Sequence, residues 1–132
     1  MKVLIADPDW RFAQQATSYL ESRADLTMHQ TEAASVLEHV RRWQPDVIMV
    51  AAELAQGDLL RELQQLRPRP AILLTGWMDR YDLAWRAWQK GGDDVFIKPL
   101  LRIEDIRDGI VTAMENAALG NRHRRTCLAA SA

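Results

Sequence analysis

Apolar residues recur along the chain in two alternating rhythms. Short apolar runs cover residues 2–6, 47–50, 71–75 and 95–97, with a weaker run at Leu26–Gln30. Runs of this length, rich in β-branched residues and bounded by turn formers, read as strands. Between them the spacing changes to the helical period. Phe12, Ala13, Ala16, Thr17 and Leu20 form an inward stripe on a helix over 10–23, with Asp9 as its N-cap. Ala33, Val36, Leu37 and Val40 mark a second helix, for which Thr31 is the predicted cap. Gly57-Asp58 opens a third, carrying Leu59, Leu60, Leu63 and Leu66 and stopped by Pro68 and Pro70. A fourth is predicted from an Asp79 cap through Lys90, ended by Gly91-Gly92. The last runs over about 102–119, with Ile103, Ile106, Ile110, Ala113 or Met114, and Ala117 inward.

Five strand–helix units in succession predict an α/β fold, a parallel sheet with helices on both faces. The run that follows Pro45-Asp46 is apolar throughout and belongs at the centre of the sheet, whereas Leu26–Gln30 belongs near an edge. Open α/β sheets bind ligands outside the carboxyl ends of their strands. The central strand ends there in Ala51-Ala52-Glu53, and a methyl group at Ala51 has no chemistry to offer.

Composition narrows the picture further. The 132 residues suit one domain, expected at 1–119 and followed by a basic, flexible tail at 120–132. An attached DNA-binding effector is not expected at that length. The net charge of -1 gives no general attraction to nucleic acid or membrane, and no stretch approaches a membrane span. The first apolar run is too short for a secretory signal and ends at Asp7. The single cysteine, Cys127, forms no internal disulfide, so a reducing cytoplasm is the expected location. His29, His39 and His123 have no metal-like spacing with one another or with Cys127 and are read as surface residues.

The order of the loop motifs carries a resemblance. Asp7-Pro8-Asp9 follows the first strand, Pro45-Asp46 leads into the third, Leu74-Thr75-Gly76 ends the fourth, and Gly91-Gly92-Asp93-Asp94-Val95-Phe96-Ile97-Lys98-Pro99-Leu100 spans the fifth. Each is weak alone. As an ordered set they resemble the receiver domain of two-component response regulators, over essentially the whole chain up to about Leu119. The resemblance implies a flavodoxin-like three-layer sandwich with strand order 2-1-3-4-5 and five helices.

It also implies a chemistry that this sequence departs from. A receiver takes a phosphoryl group from a histidine kinase onto an aspartate at the end of the third strand. Mg²⁺ held by an acidic pair after the first strand neutralises the phosphoryl oxygens. A Thr or Ser and a Lys bind those oxygens, and a strand-five aromatic swings inward. Here the acceptor position falls on Ala51, one of the acidic pair falls on Pro8, and the aromatic position falls on Val95. Asp7, Asp9, Glu53, Thr75, Lys98 and Pro99 remain as a remnant pocket. The resemblance implies a cis Lys98-Pro99 bond and a Lys98 ammonium directed at Asp7. Glu53 reads as a solvated loop carboxylate, the alternative being that its charge replaces the missing aspartate. No catalytic residue, no cofactor, and weak or absent Mg²⁺ binding are expected.

The aromatic content suggests where function lies instead. Five of the nine aromatic residues are tryptophan. Tyr81, Ala84, Trp85 and Trp88 share a helical face, with Trp77 just ahead of them. One helix face seldom buries so much aromatic volume, so Trp77, Tyr81 and Trp85 are the expected interaction surface. The resulting reading is a non-catalytic pseudo-receiver that acts by phosphorylation-independent contact with a histidine kinase, an output protein or a second copy. Two other classes stay open. One is a phosphorylatable receiver with a non-standard acceptor or a weak metal site at Asp7, Asp9 and Glu53. The other is a small nucleic-acid-binding protein working through Arg122, Arg124 and Arg125, a weak electrostatic footprint.

Overall fold

The computed structural model describes the backbone of residues 1–131 and the side chains of residues 1–120. Its five strands are β1 (Lys2–Ala6), β2 (Leu26–Gln30), β3 (Val47–Ala51), β4 (Ala71–Trp77) and β5 (Asp94–Lys98). They form one parallel sheet in the order β2-β1-β3-β4-β5. The helices are α1 (Trp10–Ser22), α2 (Ala33–Trp43), α3 (Leu59–Gln64), α4 (Tyr81–Lys90) and α5 (Asp105–Ser131). This is the flavodoxin-like three-layer sandwich with five helices. The basic segment Asn121–Arg125, His123 and Cys127 have side chains outside the described residues, and α5 is interrupted by a non-helical Gly120.

The period of two along each strand divides the core. Ile48 and Val50 of β3 pack with Leu4, Ile72 and Leu74 against α2, α3 and α4. Val47 and Met49 pack with Val3, Ile5, Leu73 and Phe96 against α1 and α5. Every residue of β3 is buried, as expected of a strand covered on both faces. The edge position of β2 explains its weaker apolar pattern, since its residues are only partly buried or exposed.

Three helix starts differ from expectation. The Asp9 carboxylate does cap α1, accepting from the amides of Arg11 and Phe12. Thr31 does not cap α2, whose N-cap is Glu32. Asp79 does not cap α4. β4 continues through Gly76 and Trp77, which pair with Ile97 and Lys98. A 3₁₀ turn at Met78–Arg80 then takes up Asp79, and α4 begins only at Tyr81. α5 begins at Asp105, with Arg102 ion-paired to that residue at 3.6 Å. Gly76 permits the close packing of α4 on β4: a Cβ there would lie 2.9 Å from that of Ala84.

At the amino ends of the strands, Asp93 ties three elements together. Its carboxylate accepts from the Arg69 guanidinium at 2.9 and 3.1 Å and from the Ile72 amide at 2.7 Å. The Asn116 amide of α5 donates to its carbonyl at 2.8 Å. A buried carboxylate satisfied by a bidentate guanidinium and a backbone N–H is strongly held, and removing it strands both donors. Asp93→Ala is expected to lower stability by roughly 3 kcal/mol in urea unfolding, and Arg69→Ala by less, because the Ile72 amide still serves the acid. A loss under about 0.5 kcal/mol for Asp93→Ala would show that this clamp is not a structural tie.

Candidate functional site

The carboxyl ends of β1, β3, β4 and β5 converge on Asp7. Its side chain is buried, and both oxygens are engaged. Oδ1 accepts from the Asp9 amide at 2.8 Å. Oδ2 accepts from Lys98 Nζ at 2.9 Å and lies 3.5 Å from the Thr75 hydroxyl. The side chains of the Lys98–Asp7 pair are 1% and 2% exposed. Lys98 is followed by a cis bond to Pro99, itself exposed.

The lysine is also caged by aromatic rings. Nζ sits 4.6 Å from the ring centroid of Phe12, on the first turn of α1, and 4.8 Å from that of Trp77, at the end of β4. A cation buried between ring faces gains from their negative quadrupoles. The carboxylate supplies the counter-charge that burial requires. Neither ring was singled out as a pocket residue in the sequence, although both were legible there. Phe12 is the first inward position after the Asp9 cap, and Trp77 lies two residues beyond Thr75, hence on the same side of the strand.

The remaining predicted residues divide. Ala51 is fully buried at the end of β3, in register with Thr75. Asp9 is drawn into capping α1. Glu53 is exposed and has no ion pair among the described residues, as a solvated loop carboxylate would be. Trp77 does not share a surface with Tyr81 and Trp85, contrary to the expectation of one face. It sits in the strand against Lys98, whereas those two lie on α4 and are 55% and 51% exposed. Trp88 is partly buried against the core. His29 is not a free surface residue. It is partly buried, with Nε2 2.8 Å from the Asp7 carbonyl and its ring edge-on to Trp10 at 4.8 Å. His39 bonds the Ser35 carbonyl one turn earlier in α2.

The donor set does not fit a magnesium site. Mg²⁺ asks for near-octahedral oxygen, usually with one or two carboxylates free to bind it. Asp7 has both oxygens committed, position 8 is proline, position 51 is a methyl, and Asp9 is a helix cap. No group of three or more acidic, His or Cys side chains converges among the described residues.

Solved structures share this architecture. The receiver domain of NtrX from Brucella abortus aligns with a TM-score of 0.74, covering 86% of this chain and 98% of that one at 19% identity. A response regulator receiver domain from Clostridium thermocellum gives 0.73, covering 89% and 97% at 20% identity. The chain has the receiver fold. An atypical orphan response regulator, described as revealing a phosphorylation-independent regulatory mechanism, aligns at 0.74, covering 87% and 96% at 15% identity. Among curated proteins, a protein-glutamate methylesterase/protein-glutamine glutaminase of Burkholderia lata is 27% identical over 124 residues, 89% of this chain. The chain spans about a third of the length of such relatives (33%). No protein-family model matches it.

The Asp7–Lys98 pair is expected to stabilise the strand ends as a unit. Asp7→Ala leaves a buried ammonium without its counter-charge and should cost about 3–5 kcal/mol in urea unfolding followed by circular dichroism. Adding Lys98→Met should recover at least about 1 kcal/mol of that loss. Single losses that simply add, within about 0.5 kcal/mol, would mean that the two side chains do not depend on each other.

Proposed function

We propose that this chain is a cytoplasmic, receiver-like signalling module that acts through phosphorylation-independent contact with another protein. The observation that carries the reading is the methyl group of Ala51, buried at the end of β3 where the resemblance places the phosphoryl acceptor. A methyl is neither a nucleophile nor a metal ligand, so aspartyl-phosphate formation has no starting atom there. The neighbouring geometry supports the same reading. Lys98, which in a receiver would contact the phosphoryl group, is held by Asp7 and enclosed by Phe12 and Trp77. The donor set gives weak or no Mg²⁺ binding, and the module is non-catalytic.

Partner contact belongs on the α4 surface, where Tyr81 and Trp85 stand exposed. Large amphipathic rings bury much area at modest entropic cost and often dominate binding energy. Val95 occupies the aromatic position of strand five, so a relay from the acceptor to this surface lacks both ends. A surface that does not wait for a minor conformation also avoids the affinity loss of conformational selection. The partner is a histidine kinase, an output protein or a second copy. The phosphorylation-independent mechanism named for the atypical orphan regulator is a precedent on the same fold. No helix among the described residues is long and apolar enough to cross a membrane.

Incubation with acetyl phosphate and Mg²⁺ is expected to add no phosphoryl mass by intact-protein mass spectrometry. Ala51→Asp alone is expected to stay unlabelled, because Pro8 and the occupied Asp7 still deny the metal its site. A stoichiometric acid-labile adduct on any aspartate of the wild-type chain would overturn the reading and return the chain to phosphoryl transfer.

A further inference from the structure

A groove lies at the amino ends of β3 and β4, the opposite end of the sheet from Asp7 and Lys98. It has a volume of about 80 Å³ and runs between the end of α2 and the segment that joins α3 to β4. Val40, Pro45, Leu66, Pro68 and Pro70 give it apolar walls. Proline has no backbone N–H, so three of those five residues have no main-chain donor to offer a guest. The space is roughly half of a cavity that accepts benzene, and far below that of small-molecule sites. It suits one short aliphatic side chain.

Arginine stands on both sides of this apolar space. Arg41 comes from the last turn of α2 and Arg67 from the segment after α3, and both are exposed. Neither has an ion pair among the described residues. Arg67 is nevertheless held in place, since its Nη1 donates to the carbonyls of Gln64 and Leu66 at 3.1 and 2.8 Å. No hydrogen bond among the described residues uses its Nη2. The acids nearby are engaged elsewhere. Glu38 pairs with Arg42 at 2.9 Å, Asp46 accepts from the Lys2 amide at 2.8 Å, and Asp93 holds Arg69. No acid lines the groove.

The two features ask for one kind of guest. The walls favour an aliphatic side chain, and the guanidinium groups favour carboxylates, which they can meet through two parallel N–H donors. A phosphate group fits less well. Its oxygens find no donors on the proline walls, and α2 and α3 both end here, so their last carbonyls already present partial negative charge. A second copy docked about a twofold axis would set the arginines against themselves. The chain's own segment 121–125 is basic and carries the wrong sign.

We propose that this groove receives an acidic segment of a heterologous partner protein, with one aliphatic side chain entering it and carboxylates on either side paired to Arg41 and Arg67. This contact goes beyond the α4 surface and depends neither on that surface nor on the loss of phosphoryl chemistry.

The probe is the peptide acetyl-Glu-Ala-Val-Ala-Glu amide, in which Val and both Glu share a face when the chain is extended. It is titrated into the ¹⁵N-labelled full chain and followed by two-dimensional NMR. The backbone amides of Val40, Arg41, Gln44, Leu66 and Arg67 are expected to shift saturably. Replacing both Glu of the peptide by Gln is expected to weaken binding about tenfold, and replacing its Val by Ser by a similar factor. Arg41→Gln and Arg67→Gln lie at exposed positions, so both should keep the native spectrum while each weakens the peptide about two- to fivefold. Arg41 makes no bond within the chain, so its variant reads the contact free of any effect on α3. Inorganic phosphate at the peptide's concentration is expected to leave these amides in place. Equal binding of the Gln peptide, indifference to both arginine variants, or shifts centred on α4 would overturn the proposal. So would phosphate that matches the peptide, since the groove would then be a plain anion site. Sedimentation showing a dimer of the chain alone that Arg41→Gln dissolves would also overturn it, because a second copy would be the occupant.

Discussion

A lysine with almost no solvent exposure sets the terms at the carboxyl ends of this sheet. An ammonium in such surroundings is tolerable only with a counter-charge in contact, and Asp7, the residue that follows β1, supplies it at 2.9 Å. The other faces of the ammonium are closed by Phe12 and Trp77. One interaction thereby joins β1, β4, β5 and α1. It also commits the two charged groups that a phosphoryl group and its metal would otherwise engage. With a methyl at Ala51 nothing competes for Lys98, and the pair can close as a structural element.

The same logic sets the strand-end pocket apart from the α4–β5 groove. The carboxyl-end pocket is internally satisfied, with Thr75 and the Asp9 amide also turned to Asp7. The α4–β5 groove is its opposite, with Tyr81 and Trp85 in solvent and a partly buried Asp94 carboxyl beside them. A site whose charges are already paired has little to offer a ligand, whereas open apolar surface has interaction energy in reserve. The chain thus keeps the scaffold of the receiver fold, with Tyr81 and Trp85 exposed on its flank.

Much of this was legible in the sequence, for identifiable reasons. The all-apolar run of β3 announced a strand covered on both faces, and the order of loop motifs gave the topology. The Asp7–Lys98 contact followed from opposite charges at the carboxyl ends of β1 and β5, which the resemblance to receivers directs at each other. What escaped were consequences of tertiary pairing. β4 runs two residues past Thr75 because Gly76 and Trp77 still find partners in β5. That shift moves the start of α4, frees Asp79 from capping, and separates Trp77 from Tyr81 and Trp85. Local propensity cannot see it, because the deciding hydrogen bonds come from about twenty residues away. The Asp93 clamp escaped for the same reason: Arg69, the Ile72 amide and Asn116 meet it only once β4, β5 and α5 are packed.

The central claim, that the pocket at the strand ends is closed and does not switch, is tested most directly by adding beryllium fluoride with Mg²⁺, a mimic of the phosphoryl group, to the ¹⁵N-labelled chain. The account predicts that the amide resonances of Asp7, Thr75, Trp77 and Lys98 stay where they are, with the native spectrum otherwise intact. Saturable, Mg²⁺-dependent shifts at those residues that extend into α4 would contradict it.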